Sequence, residues 1–239
     1  MELYRADLTL QDYLFFATTE RGKVAETGSF IHNYALTYAL GWALSPWHNE
    51  IQQPHYREEL RAVGRRYVTP AKLLGGSSLV SQYNTLSESY SLGKGRSIGY
   101  PDWGFIKCFR PGSRFRCYVL SADPVTLPRY LRLGKFMAKT RLTVMHLANP
   151  ERKASAPTGP REKGNTVDRP LLNWDDLAPT GRPVVYDILT SALPTRLVDN
   201  PIFDTTDGSY LAATFAGEAQ VVYLPLQMGY LGENLCASW

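Results

Sequence analysis

The sequence has little of what covalent, metal or membrane chemistry requires. Three cysteines in 239 residues, Cys108, Cys117 and Cys236, are odd in number and scattered. That argues against a secreted scaffold held by disulfides and for a reducing compartment, expected to be the cytoplasm. Four histidines, His32, His48, His55 and His146, show no ligand spacing with any cysteine, so no metal site and no cofactor is expected. Asp175-Asp176 is a lone acidic pair, read as a turn or cap rather than a metal site. Gly93-Lys94-Gly95 lacks the Gly-Lys-Ser/Thr ending of a phosphate-binding loop. There is no run of about 18 apolar residues, so no membrane span is expected. Met1 to Asp7 lacks the basic-then-apolar layout of a secretion signal.

The chain does carry the means for a core, and a lopsided charge. Hydrophobic residues make up 44%, charged residues 20%, and there are 15 Tyr, 9 Phe and 5 Trp. So aromatic a chain can offset its ordering entropy. The net charge of +4 hides a segregation: residues 94–141 hold 11 Lys/Arg against 2 Asp/Glu, whereas residues 170–239 hold 2 against 8. A block with nine excess positive charges repels itself, and folding alone does not call for it. A polyanion does, because each cation near a phosphate releases condensed counterions. Nucleic acid is therefore the expected partner of the basic block, and a protein neighbour or the basic block itself that of the acidic part.

Alternation over residues 2–10 predicts a half-buried first strand. Ile31, Ala35, Tyr38, Ala39 and Trp42 recur at helical spacing, which predicts a buried helix over 30–44, stopped by Ser45-Pro46. A short helix is expected at 55–63 and strands at 67–74 and 78–86. Asp123-Pro124 reads as a helix start, the helix running to Leu133 and stopping at Gly134. Strands are expected at 139–147, 184–189, 210–215 and 220–224, and an exposed, charge-rich loop at 149–169.

Residues 104–120 read as a hairpin turning at Arg110 to Ser113. In that register Phe105, Lys107, Phe109, Arg114, Arg116 and Tyr118 share one face, while Ile106, Cys108, Phe115, Cys117 and Val119 form a small core on the other. Lys107 opposite Arg116 is unfavourable unless an anion lies between them. Exposed rings could stack bases while cations hold the backbone; the other reading is a strand pair whose rings pack under a second layer. Lys94, Arg96, Tyr100 and Trp103 lie on the Gly-rich approach, and Arg129, Arg132, Lys135, Lys139 and Arg141 form a second basic cluster around Gly134. His32 opens the long helix, either as a cap or packed imidazole or as an acid or base in RNA cleavage.

The opening strand, Phe15-Phe16-Ala17-Thr18, and above all Ile31-His32-Asn33-Tyr34-Ala35-Leu36-Thr37-Tyr38-Ala39-Leu40 resemble the small Cascade subunit of type I-D CRISPR systems, the Cas-five group. Tyr67-Val68-Thr69-Pro70-Ala71 and Leu131 to Lys139 fit the same family, and the resemblance spans roughly residues 1–145. It implies an α+β fold: a RAMP-type, ferredoxin-like or RRM-like domain over 1–148 with a Gly-rich basic arm near 75–120, then the 149–169 loop and an acidic β-rich extension over 170–239. It implies a non-catalytic RNA-binding subunit that caps the 5′ handle of CRISPR RNA and touches the backbone and large subunits, with target DNA near its recognition motif as a further contact. The alternative is a metal-independent endoribonuclease of the same fold using His32.

Overall fold

The computed structural model describes residues 1–45, 54–85, 102–148, 150–190, 195–203, 209–216 and 219–239, with the backbone alone at 83–85, 102, 103, 148 and 190. In chain order the elements are β1 (Glu2–Leu10), β2 (Thr19–Arg21), β3 (Val24–Glu26), β4 (Phe30–Ile31), α1 (Asn33–Ala39), α2 (Tyr56–Arg61), β5 (Arg66–Val68), β6 (Ala71–Gly75), β7 (Ser78–Thr85), β8 (Asp102–Phe109), β9 (Arg114–Ser121), β10 (Tyr130–Leu133) and β11 (Ala138–Ala148). They continue with β12 (Glu151–Lys153), β13 (Arg161–Glu162), β14 (Asn165–Asp168), β15 (Leu172–Asn173), β16 (Val185–Thr190), β17 (Leu197–Ile202), β18 (Tyr210–Thr214) and β19 (Gln220–Pro225). The fold is mixed α+β and mostly sheet.

Seven strands make the principal sheet, a curled half-barrel in the order β10-β11-β1-β9-β6-β4, with β5 also on β9. β1 lies at its centre and is buried on both faces rather than half-buried. Tyr4, Ala6, Leu8 and Leu10 enter one core with Phe115, Cys117, Leu142 and Leu36 of α1. From the opposite face Leu3, Tyr118 and Leu120 enter a second core with the C-terminal strands β18 and β19. The described residues form three smaller sheets as well: β12-β18-β19-β14-β13, β15-β17-β16 and β2-β3-β8-β7.

The expected 104–120 hairpin does not form. β8 and β9 are consecutive but lie in different sheets: β8 pairs with β7 and β3, and β9 with β1, β5 and β6. Alternation fixes which residues share a face, not which strand lies alongside. The strand pair that does form, Ser78↔Phe109 to Thr85↔Asp102, flanks the Gly-rich segment instead. The expected helix at 123–133 is absent too: Pro128 would fall in its interior and breaks it, and Tyr130–Leu133 is an edge strand paired with β11.

The long helix is shorter than its periodicity implied. His32 caps α1 by accepting the Tyr34 N–H at 3.2 Å. Gly41 at φ +72° ends it, with the Trp42 N–H on the Thr37 carbonyl and the Gly41 N–H on that of Tyr38. This double bond pattern closes a helix before Ser45-Pro46 can. Its inward side carries Asn33, Tyr34, Leu36 and Thr37, not the expected face of Ala35, Tyr38 and Ala39. The 149–169 loop is not structureless: it carries β12, which pairs with β18, β14, which pairs with β19, and β13, which pairs with β14.

Candidate nucleic-acid interface

Sheet register brings distant cations onto one face. Tyr130 on β10 lies opposite Arg141 on β11, Arg141 opposite Thr9 on β1, and Thr9 opposite Arg114 on β9. At the usual strand spacing this row is about 14 Å across. Arg132 and Lys139 face each other directly on the same side, next to that row. All four cations are exposed. Tyr130, 43% exposed, has the Lys139 ammonium 4.5 Å and the Arg129 guanidinium 5.9 Å from its ring centre. Lys135 is exposed on the turn between β10 and β11 beside Phe136 and Met137.

Among the described residues, no carboxylate pairs with Arg114, Arg129, Arg132, Lys135, Lys139 or Arg141. The next row shows what compensation looks like. Lys72 faces Arg116 across β6 and β9, again like charges, but Arg116 grips Asp7 at 2.7 and 3.2 Å and Lys72 holds Asp199 at 2.6 Å. Arg132 opposite Lys139 has no such neutraliser, so the pair is unfavourable until an anion arrives.

A groove of about 780 Å³ opens beside this face, between Ala35, Tyr38 and Ala39 of α1, Phe16, and the β10 edge with its turn. Its walls carry Tyr38, Tyr130 and Phe16 together with Arg132, Lys135 and Lys139. Rings and cations side by side are what single-stranded nucleic acid uses, bases on the rings and phosphates on the cations.

The other sequence-predicted residues lie apart. Phe109 is buried against Phe115 in a T-shaped contact at 5.4 Å. Lys107 reaches Glu26 at 3.5 Å. Arg110 is exposed on the turn out of β8. Trp103 pairs by backbone with Asn84; Lys94, Arg96 and Tyr100 fall outside the described residues. Sequence reading missed Tyr130, because a helix was expected there. Its signal is the strand alternation of Tyr130 and Arg132 against buried Leu131 and Leu133.

His32 is buried and does not line the groove. Its Nδ1 accepts the Tyr34 N–H, so the proton sits on Nε2, which donates to Thr195 Oγ1 at 3.0 Å. Burial pushes its pKa down to about 3. With both nitrogens engaged, it matches the cap and packed-imidazole reading.

The chain matches the family model described as type I-D CRISPR-associated protein Cas5/Csc1 over residues 1–233. It belongs to that family. The match extends through the C-terminal lobe, well past the residue 145 at which the sequence resemblance thinned. No curated protein matches the chain. Membership in the Cas5/Csc1 family puts the chain in a type I-D CRISPR context. No helix among the described residues is long and apolar enough to cross a membrane.

Proposed function

We propose that this chain is a non-catalytic RNA-binding subunit of a cytoplasmic type I-D surveillance complex, capping the 5′ handle of the CRISPR RNA and contacting the backbone and large subunits. The observation that carries this reading is the uncompensated row of cations beside Tyr130 on one face of the principal sheet. The strand order supports a ferredoxin-like ancestry. β1, the β5–β6 segment, β9 and β11, taken in chain order as first to fourth, run fourth-first-third-second across the sheet. α1 stands in the first crossover, and residues 122–129 replace the second helix. Backbone phosphates bind across Arg114, Arg141, Arg132 and Lys139, and a base stacks on Tyr130. Nothing in the setting of His32 favours the nuclease reading.

The test is retention of an RNA with the cognate 5′ handle against a scrambled RNA of equal length, over a salt series, with the gel also read for cut product. Handle-selective retention without cleavage is expected. Replacing Arg141 or Arg114 by Ala should flatten the slope of log affinity against log salt by about 0.7 for each phosphate no longer neutralised. Tyr130→Ala should cost about 1–3 kcal/mol of binding with little change of slope. Cut product, or affinity unmoved by all three, would sink the proposal.

Arg114 and Arg116, two residues apart, should behave differently. Arg116→Ala removes the bidentate partner of half-buried Asp7 and should lower stability by on the order of 2 kcal/mol. Arg114→Ala should leave the urea midpoint within error and weaken RNA binding. Urea melts and RNA titrations on the same two proteins check this split.

A further inference from the structure

The C-terminal lobe presents a second surface, of opposite chemistry to the basic face. Val184, Val185, Ile188 and Leu189 are 61, 57, 57 and 40% exposed, four large apolar side chains within six residues. They belong to β16 or directly precede it, and β16 pairs only with β17, so among the described residues its outer edge has no strand beside it. Ile188 lies opposite Val198, which is completely buried. The apolar face of this small sheet thus overhangs its cover at the edge. Unpaired strand edges template pairing with another chain, and proteins ordinarily guard them with lysine or proline. Over Val185 to Ile188 the only charge is exposed Asp187.

Charge narrows the occupant. Residues 170–239 carry eight Asp/Glu against Arg182 and Arg196. Both arginines sit over the Trp174 ring, at 4.8 and 5.7 Å, and that ring in turn packs on Tyr186 of β16. The two cations are thereby drawn to the Trp174 side, while Asp187 stands at the edge. We infer that the β16 edge accepts an extended segment of a partner protein, apolar at alternate positions and basic between them, which adds to the small sheet as a fourth strand. Backbone hydrogen bonds would supply pairing, Ile188 the apolar contact on one face, and Asp187 on the other face the preference for Lys or Arg. This inference stands apart from the RNA reading, since it uses a different sheet.

The experiment is fluorescence anisotropy on the full chain with three labelled nine-residue peptides. One alternates Lys and Val, one alternates Glu and Val, and one repeats the Lys/Val sequence with alternate amides N-methylated. Saturable binding of the Lys/Val peptide is expected, with the other two at least about tenfold weaker. Ile188→Lys on the chain should weaken the Lys/Val peptide by about tenfold or more while leaving the melting curve and RNA affinity unchanged. Equal binding of the N-methylated peptide would reduce the effect to charge and overturn strand addition, as would no binding or an indifferent Ile188→Lys. Self-association by light scattering, abolished by Ile188→Lys, would make the occupant a second copy and overturn the partner assignment.

Discussion

Asp176→Ala should cost more stability than any other single substitution in this chain, on the order of 4 kcal/mol, read as a fall in the urea midpoint at unchanged slope. Its carboxylate is completely buried and accepts four hydrogen bonds. Asn33 Nδ2 donates at 2.6 Å and the Tyr67 hydroxyl at 2.9 Å to one oxygen; the Tyr34 hydroxyl and the Leu231 N–H donate at 2.9 Å to the other. Removing the acceptor strands four donors from α1, β5 and the C-terminal segment in a site closed to water. Each orphaned buried group costs roughly 1–3 kcal/mol, and a domain has only about 5–15 to lose. Exposed Asp175, one residue earlier, is the control, and its Ala variant should stay within about 0.5 kcal/mol of the parent.

The same network sets two opposed pH dependences. Burial pushes the Asp176 pKa up to about 6 from its ordinary 3.8, against the pull of its four donors. The folded state thus holds a proton more firmly than the unfolded chain, and this contribution is full below pH 3.8 and lost as pH rises through about 6. His32 works the other way. With its pKa pushed down to about 3, its contribution is full above its ordinary 6.5 and lost as pH falls. A chain of bonds joins them, from Asp176 through Asn33 and Asn173 to Thr195 and His32. Urea midpoints between pH 4 and 7 should therefore fall more steeply on acidification in Asp176→Asn than in the parent. In His32→Asn, which can still cap α1, they should fall less or rise.

The network was invisible in the sequence for a physical reason. Asn33, Tyr67 and Asp176 come from three separate stretches of the chain, and nothing in an isolated Trp-Asp-Asp run says that two tyrosines and an asparagine converge on it. One hint was present: Asn33 and Thr37 stand four apart in an otherwise apolar helix, a polar stripe that needs partners if it faces inward. β1 was legible because nine residues of alternation leave little choice, as was the basic cluster around Gly134. The row that joins Arg141 to Arg114 was not, since it depends on β1 lying between β11 and β9. Alternation assigned Cys108 and Cys117 correctly to buried positions even though the strand pairing drawn between them was wrong. Burial pushes both thiols up, as expected of packed side chains.

Gly134→Ala is the second large effect, and it ties stability to the proposed RNA face. Gly134 begins the turn from β10 to β11 at φ +71°, and a Cβ there would lie 2.5 Å from the Phe15 carbonyl oxygen. That oxygen is fixed backbone, already accepting the Lys135 N–H at 2.8 Å. Gly112 separates the two costs: its φ is +86°, yet a Cβ there meets nothing within 4 Å. Gly112→Ala should therefore cost only the left-handed conformation, about 1–2 kcal/mol, and Gly134→Ala on the order of 3 kcal/mol or more. Relief at Gly134 requires moving Phe15 or the turn itself, and the turn carries Lys135 and spaces Arg132 against Lys139. RNA affinity of folded Gly134→Ala, measured well below its melting temperature, should then fall about as far as in a double Ala variant of Arg132 and Lys139, while Gly112→Ala should bind as the parent does. A Gly134→Ala protein that is destabilised but binds RNA normally would mean that the turn serves only the fold, and that the phosphates lie nearer Arg114 and Arg141.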